Sequence, residues 1–203
     1  VNVFCNATNT GAINITTTGG TPPSTYFWND GVATEDRNNL IAGIYSVTAT
    51  DNNSCSASVS INIIQPSTLN VAEAHTNVLC NNASNGSINL TTSGGSSPYT
   101  YLWNDSNTSQ NRNNISAANY SVTVTDNNFC SASLIVTLIQ PNALNLSETH
   151  ANVLCNGGNT GSINITSSGG TVPYSFIWND GNTLQNRINL AVGNYSVTVN
   201  DNN

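Results

Sequence analysis

A 75-residue repeat free of insertions, a two-residue alternation of apolar and polar side chains within it, and no sustained 3.6-residue periodicity together predict an all-β chain. The expected fold is a tandem array of immunoglobulin-like antiparallel β-sandwiches, one per 75 residues, set end to end as an extended rod. The repeat is read from fixed spacings. Cys5, Cys80 and Cys155 stand 75 residues apart, and Trp28, Trp103 and Trp178 keep the same step. So do Arg37, Arg112 and Arg187; Tyr45, Tyr120 and Tyr195; Asp51, Asp126 and Asp201; and the pair His75 and His150. A stack of equal structural units keeps its length this strictly.

The middle copy shows the strands in order. In residues 86–92, Ile88 and Leu90 fall on one face and Asn89 and Thr91 on the other. Tyr99, Tyr101 and Trp103 share a face in the next run. Residues 120–124 alternate cleanly, and Cys130, Ala132, Leu134, Val136 and Leu138 form a longer alternating stretch. Leu144 and Leu146 open the following copy in the same way. Period two with β-branched enrichment reads as half-buried strands. The Gly, Ser, Pro, Asn and Asp clusters at 93–98, 104–107 and 126–128 read as the turns between them.

Six or seven short strands in one period suit a compact sandwich. A solenoid is the rival reading, but solenoid units are shorter and cannot bury a core alone. Boundaries are expected at Pro66 and Pro141. This gives three domains: 1–66 lacking a first strand, 67–141 complete, and 142–203 lacking a last strand. Linkers of two or three residues bearing proline resist bending, which is the basis for expecting a rod.

Composition narrows the function classes. The chain has 203 residues, 37% of them hydrophobic, so a core can form. Only 6% are charged, against about a quarter in an ordinary domain. Its formal charge of −7 argues against nucleic acid and against docking on an anionic bilayer. No apolar run approaches the roughly 18–20 residues of a membrane helix.

Cysteine is the most informative residue type. Cys55 follows Cys5 by fifty residues, and Cys130 follows Cys80 by the same interval. The expected pairs are Cys5–Cys55 and Cys80–Cys130, with the partner of Cys155 falling at position 205, outside the sequence. Buried free thiols are the alternative. A disulfide closing a loop of about 50 residues contributes on the order of 4 kcal/mol in an exported protein. Two cysteines per copy, without a CxxC or a nearby histidine pair, do not make a tetrahedral zinc site.

Trp28, Trp103 and Trp178 lie on strands and read as core rather than as sugar-stacking platforms. Tyr45, Tyr120 and Tyr195 lead into a late strand and read as core residues making tyrosine corners. Asp30, Asp105 and Asp180 follow asparagines, and Asp51, Asp126 and Asp201 precede them. Such oxygen-rich loops are weak Ca²⁺ candidates. The alternative, that Asp and Asn build turns through side-chain to backbone bonds, is preferred, and no cofactor is expected. Catalysis finds no foothold: a triad needs histidine beside a nucleophile, and His75 and His150 sit just past the joints with Glu73 and Glu148. The lack of lysine excludes a Lys–Asn isopeptide brace.

Five motifs, taken in order, resemble a known family. They are residues 155–163 (Cys-Asn-Gly-Gly-Asn-Thr-Gly-Ser-Ile), 169–174 (Gly-Gly-Thr-Val-Pro-Tyr), 177–181 (Ile-Trp-Asn-Asp-Gly), 193–199 (Gly-Asn-Tyr-Ser-Val-Thr-Val) and 126–130 (Asp-Asn-Asn-Phe-Cys). The set is similar to the SprB repeat of gliding-motility adhesins and related surface proteins of the Bacteroidota, and it covers all three copies. Asn53 and Asn128 depart from it, standing where the family commonly has glycine before the cysteine. The resemblance implies type IX export and a place on long surface filaments. Two readings follow: structural spacer repeats that hold a distal adhesive tip away from the cell, or weak glycan- or surface-binding modules acting through copy number. Lateral pairing of chains into a fibre is a smaller third. Partners are expected to be neighbouring repeats, with surface glycans or other filament chains as further candidates.

Overall fold

The computed structural model describes residues 1–203 and contains sixteen strands and no helix. The first copy holds β1 (Gly11–Ile13), β2 (Thr25–Trp28), β3 (Arg37–Leu40), β4 (Gly43–Thr50) and β5 (Ser56–Ile63). The second holds β6 (Asn70–Thr76), β7 (Gly86–Ser93), β8 (Thr100–Trp103), β9 (Arg112–Ile115), β10 (Asn119–Thr125) and β11 (Ser131–Thr137). The third holds β12 (Asn145–Ala151), β13 (Gly161–Ser168), β14 (Ser175–Trp178), β15 (Arg187–Leu190) and β16 (Val197–Asn200).

Each copy builds two antiparallel sheets. In the complete middle copy they run β6-β7-β9 and β8-β10-β11. The first copy has β1-β3 and β2-β4-β5, and the third has β12-β13-β15 and β14-β16. The chain is therefore a tandem set of immunoglobulin-like sandwiches. In the first copy Val3, Ile13, Trp28, Leu40, Val47 and Ile63 form one core cluster drawn from both sheets. β4 pairs with β5 along its whole length, from Gly43 opposite Ile63 to Thr50 opposite Ser56.

The short strands β3, β9 and β15 carry no alternation and are not legible from the sequence pattern. Each instead has an asparagine in the left-handed region (Asn39 φ 57°, Asn114 φ 54°, Asn189 φ 58°), and the pairing of each with its neighbour shifts register. Asparagine tolerates that conformation better than other residues with a Cβ, so the bulge recurs with the repeat.

The chain groups into two compact units. One comprises Val1–Glu73, Leu90–Gln110 and Ser121–Ile135; the other comprises Ala74–Asn89, Asn111–Tyr120 and Val136–Asn203. The middle copy contributes segments to both. Pro66 thus lies inside the first unit and Pro141 inside the second.

Candidate functional site: the joint between copies

The segment from Gln65 to Thr68 leaves β5 and is gripped along its length. Asn6 Nδ2 donates to Pro66 O at 3.1 Å, and Ala7 N–H donates to Gln65 Oε1 at 2.9 Å. Thr68 Oγ1 donates to Asn6 Oδ1 at 3.0 Å. From the next copy, Gly95 N–H donates to Ser67 O at 2.9 Å. The preceding Gly94 has φ +73°, and a Cβ there would collide with the Thr68 carbonyl oxygen. Only glycine satisfies both demands.

The turn between β10 and β11 completes this site. Asp126 is buried, and its carboxylate clasps the loop: Oδ1 accepts from Asn128 N–H and Cys130 N–H at 2.9 Å, and Oδ2 accepts from Ser96 N–H at 2.8 Å. Asn128 Nδ2 donates to Ser96 Oγ and to Phe4 O of the preceding copy, both at 3.0 Å. Beside that contact Cys130 is bonded to Cys5, with Cα atoms 5.7 Å apart and a separation of 125 positions in sequence.

This pairing corrects the expected one. Cys5–Cys55 and Cys80–Cys130 do not form; Cys55, Cys80 and Cys155 are exposed thiols. The reason is distance. Cys55 directly precedes β5, whereas Cys5 lies beside its far end, where Val3 N–H donates to Ile64 O. Eight residues at ~3.3 Å separate these poles by about 25 Å, and a disulfide needs Cα atoms within ~7 Å. The hairpin cysteine of the next copy is the one that comes within reach.

The second joint repeats the first. Asn81 Nδ2 donates to Pro141 O, Asn82 N–H to Gln140 Oε1, and Gly170 N–H to Asn142 O. Asp201 accepts from Thr171 N–H and Asn203 N–H. Asn203 Nδ2 donates to Leu79 O, the counterpart of the Asn128 to Phe4 bond, so Cys80 occupies the position Cys5 holds in the first joint.

The remaining site residues fall into two repeated arrangements. Trp28, Trp103 and Trp178 are buried, and each Nε1 donates to the carbonyl six residues on, Thr34, Ser109 and Leu184. The hydroxyls of Tyr45, Tyr120 and Tyr195 donate to the carbonyls of Ile41, Ser116 and Ala191, which makes three tyrosine corners. Sequence reasoning recorded the period of the arginines but not their role. Arg37 lies over both Trp28 and Tyr45, 5.2 and 5.8 Å from the ring centroids, and forms a two-pronged ion pair with Asp30. Arg187 does the same with Trp178 and Asp180, and Arg112 lies over Tyr120. The signal was there to use: the three basic residues of the chain sit at one position of the period, seven residues after an acid.

The aspartates that are weak Ca²⁺ candidates accept hydrogen bonds from backbone N–H groups and from arginines. Hydrogen bonding to Arg37 and Arg187 holds the Asp30 and Asp180 carboxyls below their ordinary range. Asp51 is held low chiefly by Thr21 N–H, with Cys55 and Asn53 N–H adding to it. Asp105 accepts from Asn107 N–H. His150 Nδ1 lies 3.0 Å from Glu148 Oε2, both side chains half exposed.

Equal sandwiches joined by the same bonds at successive joints define a tandem-repeat protein built of structural units. A family model described as the SprB repeat matches residues 1–33, 72–108 and 147–183, just over half of the sequence. The chain belongs to the SprB repeat family. SprB repeats belong to cell-surface proteins of the adhesin type, and a disulfide accords with an extracytoplasmic setting. Among curated proteins no match is found. A solved structure, that of the amphioxus IgVJ-C2 molecule, is similar over 64% of this chain and 97% of that chain, at 11% identity and a TM-score of 0.32. A likeness that low carries no argument.

Proposed function

We propose that this chain is a segment of structural spacer repeats in an exported bacterial surface adhesin, without catalysis or a bound cofactor. The repeats would hold a distal adhesive tip away from the cell, on a gliding or adhesion filament exported by the type IX route. The observation that carries this reading is the joint. Both copies of it use the same glycines, asparagines and aspartate in the same bonds, and one of them is closed covalently. Joints of this kind suit repeats whose relative placement matters. Small-angle scattering tests the idea: a spacer of three copies, each adding roughly 35–40 Å, gives a maximum dimension near 110 Å. A particle of about 60 Å would sink it.

A second reading is favoured by Phe27, Leu102 and Ile177, which recur at the 75-residue period on β2, β8 and β14 and are each more than half exposed. Such a row of apolar side chains would suit a weak binding face repeated along a filament, or lateral pairing of filament chains. Binding of the chain to a glycan array would favour the binding face over the pure spacer.

A further inference from the structure

We propose that the Cys5–Cys130 disulfide is a tension bypass: a pull along the chain crosses the joint through the sulfur–sulfur bond, and the residues between the two cysteines are sheltered from it. Three observations lead there. The bond closes a 125-residue loop and links the pole where one copy ends to the hairpin turn of the next, rather than bracing either sandwich internally. Hydrogen bonds hold its two ends in place beside it: Asn128 Nδ2 spans to Phe4 O next to Cys5, and Asp126 fixes Cys130 through its N–H. At the second joint the same seat exists, with Asn203 bonded to Leu79 O beside the exposed Cys80.

The mechanical consequence follows from covalent connectivity alone. Backbone and disulfide both connect Cys5 to Cys130, but the disulfide is by far the shorter path. Under load it becomes taut first, and β1–β10 stay slack whether folded or not. In an array that continued the period, a cysteine equivalent to Cys130 would meet Cys80, and Cys155 would begin another crossing. The shortest covalent route would then follow the backbone only from Cys130 to Cys155, about one residue in six of each pair of copies. Such a filament holds its length even while individual sandwiches open and reclose. This property rests on the chain's own connectivity and stands apart from what the repeats space or bind.

Single-molecule stretching of the full chain, held at its two ends, tests the bypass. Without reductant, the fully extended chain should fall about 430 Å short of the same chain after a dithiol has reduced the bond to two thiols, at ~3.3–3.6 Å for each sheltered residue. Cys130→Ser should match the reduced length without reductant, a readout that does not depend on whether the variant folds. Equal lengths with and without reductant would overturn the proposal. A shortening of about 170 or 340 Å would also overturn it, by assigning one or two loops of fifty residues inside single copies. Binding of the chain to glycans would leave the bypass intact.

Discussion

The first and third copies share the marker residues of the period but not all of their strands: the first has no counterpart of β12, and the third has none of β5. In the first, β5 lies along all of β4, and Val47 and Ile63 are 2% and 3% exposed at the heart of the core. In the third, β16 is half the length of β4 and pairs only with β14. Its Val197 and Val199 are only partly buried. The core there shrinks to Ile165, Phe176 and Trp178, and a groove of about 670 Å³ opens over Ile163, Trp178, Leu190 and Tyr195. The tyrosine corner and the Trp–Arg–Asp cluster persist without the covering strand. Local motifs are thus held by bonds within a few residues of themselves, whereas the apolar core draws on residues of both sheets.

The disulfide offers the largest test of that contrast. Cys130→Ser should destabilise the unit containing the first copy by about 4–5 kcal/mol, the chain-entropy value for closing a loop this long, and leave the third copy unchanged. Denaturant unfolding followed by site-resolved hydrogen exchange separates the two. Equal losses in both copies would break the comparison.

Truncating the core tryptophan ranks next. Trp28→Ala should cost the first copy about 3–5 kcal/mol, as removal of a fully packed aromatic does. Trp178→Ala should cost the third copy less, because its core cluster holds three buried residues where the first copy's holds six. Matching costs would mean that the smaller cluster packs its tryptophan as tightly as the larger one.

The smallest effect concerns acid. Asp30, Asp51 and Asp180 have carboxyl pKa values lowered in the folded chain. A lowered folded value adds stability above the unfolded carboxylate range, and that stability is lost as pH falls through the folded pKa. Thermal melts should therefore drop as the pH is taken below about 4. High salt should shrink the drop that comes from the Asp30–Arg37 and Asp180–Arg187 pairs, which are exposed and screened. The part due to Asp51 should persist, because its partners are backbone N–H groups of Thr21, Asn53 and Cys55. A drop that vanishes entirely in salt would remove Asp51 from the account.

Much of this protein was legible in the residues themselves. The period, the long alternating strands, the buried tryptophans and the tyrosine corners follow from side chains acting on neighbours a few positions away. Strand alternation is local geometry, and a Tyr hydroxyl reaching the carbonyl four residues back needs no distant partner. The short bulged strands β3, β9 and β15 were not legible, because they are defined by the strand opposite and not by a pattern of their own. The arginine clusters were visible only as a period. The cystine was the clearest case. Spacing placed two cysteines in each of the first two copies and invited pairing within them, but fifty residues of sequence say nothing about which pole of a sandwich each occupies. Tertiary structure decided that: β5 carries the chain from one pole to the other, so Cys5 and Cys55 are kept apart by the length of a strand, and Cys130 of the next copy is the thiol within bonding distance.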